Sequence, residues 1–245
     1  MQRAPSPALE LRDLGTGYGP TFSMSGISFR VGAGEVVGLI GPNGSGKSTL
    51  LKTIAGVLRP FAGEILLGGE DIRKQAARIA FVPQREEVNW DFPVTAMNVV
   101  LMGRYRSVGW LRRPAASDHR AASEALERLG LGGMSDRHIS QFSGGQQQRI
   151  FLARAMVQDP VVVLLDEPFT GIDQQNRAVF HTAIRDFAAR GVIVLMATHD
   201  LDEVQATCSS VCCLNRRLVA FGPTATTYTP AVLRETFGGQ VAVFA

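Results

Sequence analysis

Short apolar runs and stretches of helical period alternate along most of this 245-residue chain. "EVVGLIG" (35–41) is apolar until its closing glycine and predicts a buried strand. "KSTLLKTIAGVL" (47–58) follows with apolar positions at helical spacing and stops before Pro60, because proline disfavours helix in the residue ahead of it. "GEILLGG" (63–69) and "RIAFVPQ" (78–84) predict two more strands. Residues 93–103 and 119–130 carry a helical period, separated by a loop rich in Arg, Gly and Pro. The alternation then resumes. Residues 144–160 predict a helix with Ile150, Ala153 and Val157 on one face. "VVVLLDEP" (161–168) predicts a strand, 175–191 a helix ending at Gly191, and "VIVLMATH" (192–199) a strand. Another helix opens at "DLDEVQA", with acids in its first turn where the helix dipole favours them.

Repeated strand–helix alternation implies a mostly parallel sheet covered on both faces, an α/β fold. The chain is expected to form one domain over 1–245. Its core comprises about 8–92 and 142–225, a helical subdomain is inserted at about 93–141, and a tail follows at 226–245. At 45% apolar residues the chain can bury a sizeable core. No apolar run approaches the roughly 18 residues that span a bilayer. The first ten residues, "MQRAPSPALE", contain no apolar h-region, so no signal peptide is expected. A formal charge of +3 with scattered cations argues against a nucleic-acid surface. Cys208, Cys212 and Cys213 share one short apolar stretch without metal-ligand spacing, and read as reduced core cysteines of a cytosolic protein. No His/Cys/Asp cluster suits a transported ion.

"GPNGSGKST" (41–49) has the spacing of a phosphate-binding loop and lies between a predicted strand and a predicted helix, as that motif requires. Glycines let backbone N–H groups turn inward around a polyphosphate, and the helix N-terminus points at the same anion. Gly41, Asn43, Gly44, Ser45, Gly46, Lys47, Ser48 and Thr49 are therefore the candidate nucleotide contacts. Lys47 would reach the β- and γ-phosphates, and the Ser48 hydroxyl would ligate Mg²⁺. Only three of the 25 cationic side chains are lysine, so a lysine retained at 47 carries weight. A compact ammonium fits inside the loop where a planar guanidinium does not.

Asp166 and Glu167 stand at the end of an apolar strand. Side chains of adjacent strand residues point to opposite sides, so Asp166 is expected to support Mg²⁺ and Glu167 to polarise the attacking water. His199 ends a strand expected beside theirs, where its imidazole would meet the γ-phosphate. Surface positions are expected for His119, His138 and His181.

"SGGQ" (143–146) opens another helix and forms a second anion-binding turn from Ser143, Gly144, Gly145 and Gln146. The insertion sets it too far from the first loop to share a phosphate within one chain. A head-to-tail dimer resolves this: each chain offers its second turn to the γ-phosphate held by the other.

In order, "GPNGSGKST", "FVPQ", "FSGGQQQR", "VVVLLDEP" and "ATHD" resemble the ATP-binding cassette (ABC) ATPases, over about residues 9–221. The resemblance implies a RecA-like P-loop NTPase core with an N-terminal antiparallel β region and an inserted helical subdomain. It implies ATP and Mg²⁺ as cofactors, Tyr18 stacked on adenine, Gln84 sensing Mg²⁺ and the transport partner, and Asp173 at the dimer seam. Phe142 stands where the family often has leucine. More finely, residues 89–105 and 214–224 look like the ATPase subunits of manganese, zinc or iron importers. That likeness implies a peripheral subunit on the cytoplasmic face of the cell membrane, bound to a transmembrane permease and served by an extracytoplasmic substrate-binding protein. Permease loops would dock near residues 84–105, with Arg104 and Arg106 as contacts. The competing reading is a soluble cassette ATPase for iron–sulfur assembly or nucleic-acid work. The missing coiled-coil insertion and weak basic character count against it.

Overall fold

The computed structural model describes residues 8–19, 22–88, 90–105, 109, 112–172 and 174–238. Arg106 and Asp173, both named above, lie outside the described residues. Two sheets form the frame. Strands β1 (Leu9–Gly17), β2 (Ser23–Val31), β4 (Ala62–Leu67) and β5 (Glu70–Asp71) make an antiparallel sheet in the order β2-β1-β4-β5. The larger sheet uses β3 (Val36–Ile40), β6 (Ile79–Val82), β7 (Val162–Asp166), β8 (Ile193–Ala197), β9 (Ser210–Leu214) and β10 (Leu218–Pro223). Its order is β10-β9-β3-β8-β7-β6, parallel throughout except for the β9–β10 hairpin at one edge.

The central strands are apolar on both faces, and their period of two sorts them into two cores. Val37, Leu39, Leu164 and Leu195 face the antiparallel sheet and α1 (Lys47–Ile54). Ile40, Val163, Leu165 and Met196 face the opposite helical layer. Phe180 and Phe187 of α5 (Gln174–Ala189) are buried in that layer. Cutting such a fully buried aromatic to alanine costs about 3–5 kcal/mol.

Helices α2 (Ala96–Met102) and α3 (Ala116–Arg128) both pack on α4 (Gly144–Val157). With helices on one side and the sheet on the other, α4 is buried nearly all round: Gln147, Gln148 and Arg149 are as enclosed as Ile150, Ala153 and Val157. The single apolar face predicted for this helix is therefore too narrow. Covered polar groups reach backbone carbonyls, with Gln147 donating to Ile139 O at 3.2 Å and Arg149 Nη1 to Leu129 O at 2.9 Å.

Other predicted limits move for local reasons. Helix α1 ends at Ile54 because Gly56 turns left-handed at φ 77°. Helix α2 starts only at Ala96, capped by Thr95, whose hydroxyl accepts from Asn98 N at 3.2 Å. Helix α3 starts earlier than predicted, since Asp118 at its third position accepts from Ala115 N at 2.9 Å. His119 is exposed and His138 half-buried. His181 is half-buried like His138: Phe169 stacks on it and its Nε2 lies 3.0 Å from Glu203. All three cysteines are buried and unpaired. After α6 (Leu201–Thr207) and the short α7 (Thr224–Thr227), α8 (Pro230–Phe237) closes the described chain. It seats Leu233 and Thr236 in the interior beside β9 and β10.

Candidate nucleotide and hydrolysis site

The strand β3 ends at Ile40, and the loop that follows turns on three left-handed or strained glycines before α1 begins. At Gly41 (φ 155°) a Cβ would sit 2.0 Å from Leu214 O, so only glycine lets the β9–β10 hairpin close against the loop. Gly46 at φ 107° is the N-cap of α1 and carries no side-chain cap. The first N–H groups of α1 are thus left to a ligand. Residues 43–49 line one cavity of about 570 Å³ together with Gln84, Glu167 and His199. Gln84 arrives from the end of β6, Glu167 from β7 and His199 from β8, so adjacent parallel strands deliver their C-terminal ends to one place.

Lys47 is nearly buried, and its ammonium donates to Gly41 O at 2.8 Å and Pro42 O at 3.3 Å. Burial pushes its pKa below the usual lysine range, while Glu167 and Asp166 pull it back up. A cation held on loop carbonyls at this depth is poised to exchange them for phosphate oxygens.

Asp166 is fully buried, and burial lifts its pKa to about 6, against the opposing pull of the Ser48 hydroxyl. That hydroxyl donates to Asp166 Oδ1 at 3.0 Å, whereas Oδ2 is buried without a hydrogen-bond partner. A hydroxyl beside a carboxylate with one orphaned oxygen is a hard-oxygen donor set that fits Mg²⁺.

Glu167 departs from the reading that set it on the opposite side of the same strand. The strand ends at Asp166, and Glu167 takes a left-handed φ of 48°. Its N–H still donates to Ala197 O at 3.0 Å, so the ladder holds while the side chain swings toward the cavity. The carboxylate accepts from Thr170 Oγ1 at 2.9 Å and meets His199 Nδ1 at 3.1 Å. Such an arrangement holds one carboxylate oxygen fixed and leaves the exposed imidazole facing solvent. Thr170 was not foreseen from the sequence; its place three residues after the glutamate is the signal that could have found it.

Among the described residues named from the sequence, Gly41, Asp166, Tyr18 and the Ser143 turn do not line the cavity. Tyr18 stands half-exposed on the β1–β2 turn, where its N–H donates to Phe22 O at 2.8 Å. The Ser143 turn opens α4 elsewhere, in a reciprocal cap: Gln146 N donates to Ser143 Oγ at 3.4 Å and Ser143 N to Gln146 Oε1 at 2.9 Å. Asp173 is undescribed. Arg104, named as a docking cation, is tied inward by Asp118 at 2.9 Å and donates to Val157 O at 3.1 Å. Among the described residues no helix is long and apolar enough to cross a membrane, and no three His, Cys, Asp or Glu gather as a metal site.

Residues 24–170 match the ABC transporter family. The manganese transport system ATP-binding protein MntB of Bacillus subtilis is 41% identical over 95% of this chain and 93% of its own length. The zinc transport system ATP-binding protein TroB of Treponema pallidum is 41% identical over 96% of this chain and 88% of its own. Among solved structures, an inward-facing metal-chelate type ABC transporter superposes with a TM-score of 0.83 at 30% identity, over 95% of this chain and 89% of that one. An ATP-binding cassette in its ADP conformation gives 0.78 at 24% identity, over 93% and 97%, a likeness of fold.

Proposed function

This chain belongs to the ABC transporter family, an ATP-binding ATPase fold, and on that premise we propose that it drives a membrane importer for a divalent or transition metal ion such as manganese, zinc or iron. The observation that carries the reading is the cavity where Lys47, Glu167 and His199 meet, in a chain whose near-full-length relatives are named for manganese and zinc transport. The motor is a peripheral subunit at the cytoplasmic face, bound to a permease that is fed by an extracytoplasmic binding protein. Ion selection belongs to those partners.

Within the site, backbone N–H groups of residues 43–49 hold the β- and γ-phosphates, and Tyr18 stacks on adenine. Lys47 moves from its loop carbonyls to the phosphates and neutralises charge there as it builds up. Ser48, Asp166 and Gln84 would hold Mg²⁺, which when bound would neutralise charge on the phosphate oxygens. Glu167 takes the hydrogen bond of the attacking water and orients it, and His199 steadies the γ-phosphate beside it.

Two copies assemble head to tail, with Asp173 at the seam. Each supplies Ser143, Gly144, Gly145 and Gln146 to the phosphate on the other. ATP binds the closed pair and hydrolysis releases it, so the cycle is a population shift driven by a ligand of the closed state. Docked permease loops follow that closure. A pull-down of the tagged chain from solubilised native membranes tests the assembly. Recovery of a polytopic membrane protein in equal amount is expected; soluble partners alone, with an accessible tag, would overturn it.

A further inference from the structure

We propose that Arg177 is a positioning residue for hydrolysis, locking the loop after β7 to the loop after β8 so that Glu167 and His199 keep their contact. The inference rests on the reading of that pair as the groups that handle water and γ-phosphate.

The two side chains meet at 3.1 Å but come from different strands. Sheet register reaches as far as Asp166 opposite Ala197, the last bond between the two strands runs from Glu167 N to Ala197 O at 3.0 Å, and the loops continue from there. Arg177, on the first turns of α5, spans the gap that opens there. Its Nη1 donates to Asp200 Oδ2 at 2.8 Å and to Glu203 Oε1 at 2.9 Å, and its Nε points to Ile172 O at 3.5 Å. Asp200 is the neighbour of His199, and Ile172 belongs to the loop that carries Glu167 and Thr170. The guanidinium also stands 5.8 Å from the Phe169 ring of that loop.

Arg177 and Asp200 share with Glu167, Thr170 and His199 the lining of a second cleft of about 130 Å³. The cation therefore borders the hydrolytic pair, yet it makes no hydrogen bond to either member and is absent from the lining of the nucleotide cavity. Asp200 and Glu203 need only one cation to be satisfied as a local anchor for α6. Contact with a carbonyl of the other loop is what an anchor would not need. A planar fork makes these bonds together, whereas a lysine ammonium cannot keep their directions.

The test compares Arg177→Ala, Arg177→Lys, Asp200→Asn and the Arg177→Ala/Asp200→Asn double variant in the full-length chain. Steady-state ATPase, binding of a fluorescent ATP analogue and melting temperature are read for each. Asp200→Asn keeps an oxygen to cap α6 and removes only the charge that Arg177 meets. Misplacing a reacting group by about 1 Å costs up to a hundredfold, so Arg177→Ala should lower kcat by about ten- to a hundredfold, with nucleotide Kd and KM within about twofold. Arg177→Lys should recover only part of the rate, and the double variant should be no slower than the slower single one. A folded Arg177→Ala chain at parental kcat would overturn the proposal, as would full rescue by lysine or losses that multiply in the double variant. Glu167→Gln serves as the control. If it hydrolyses at the parental rate, the site reading itself fails; if it is silent while Arg177→Ala is not, only the link fails.

Discussion

The two turns proposed to bind phosphate open helices of 8 and 14 residues and differ in what satisfies them. At α1 the cap is Gly46, with no side-chain oxygen to accept the first N–H groups; buried Lys47 lines the cavity there, and buried Asp166 accepts from the Ser48 hydroxyl at 3.0 Å. At α4 the cap is Ser143, locked with Gln146 in a reciprocal pair of hydrogen bonds. The first turn is incomplete until an anion arrives. The second already satisfies its Ser143 and Gln146 N–H groups, so it strands fewer donors when it meets a phosphate and parts from it. That difference suits a nucleotide carried by one turn and visited by the other.

The largest test of this contrast is Lys47→Ala. Removing the buried cation should lower ATP hydrolysis by about a hundredfold or more and weaken ATP binding to the single chain, because a preorganised charge on the phosphates is lost. Equilibrium binding and turnover, measured together, check it. If binding persisted unchanged, the first turn would not be the carrying one.

Asp166→Asn probes the strain of the first turn from the stability side. Burial lifts the Asp166 pKa to about 6 from 3.8, so the folded chain binds that proton more tightly than the unfolded chain. Stability from this group is therefore lost as pH rises from about 4 to about 6, and the whole penalty stands above that, on the order of 3 kcal/mol. Without nucleotide or Mg²⁺, Asp166→Asn should melt several degrees higher at pH 7.5, about 2–4 °C for each kcal/mol regained. The gain should shrink toward pH 4, where the parent carboxyl is neutral, and turnover should be lost at every pH. A variant that melts lower at pH 7.5 would contradict the burial argument.

Ser143→Ala should have the smallest effect on the isolated chain. Loss of the cap costs about 1 kcal/mol of local stability, and ATP binding to one chain should stay within about twofold. Turnover should still fall roughly tenfold, since the visiting turn loses its hydroxyl donor. Calorimetry beside an ATPase assay separates these. Weakened binding to the single chain would erase the distinction between the turns.

Much of this was legible in the sequence because the relevant signals are local. Alternation of apolar runs with helical stretches gives the parallel sheet, and the spacing of glycines around Lys47 gives the first turn. Strand ends carried the rest: Asp166 and His199 lie where apolar runs stop. What was not legible depends on contacts between distant segments. The burial of α4 on every side comes from α2 and α3, which no periodicity in 144–157 announces. Glu167 reaches the cavity through a left-handed backbone turn rather than strand alternation, a conformation uncommon outside glycine. Arg177 joins two loops separated by a helix, and His181 finds Glu203 across a helix–helix contact.

The central claim, that ATP held by the first turn of one chain recruits the second turn of another, is tested most directly by sedimentation of Glu167→Gln, in which hydrolysis is expected to stop. The account predicts monomers without nucleotide, dimers at saturating ATP and Mg²⁺, and monomers again when Ser143→Arg is added, although that chain still binds ATP. Monomers at saturating ATP, or dimers indifferent to Ser143→Arg, would contradict it.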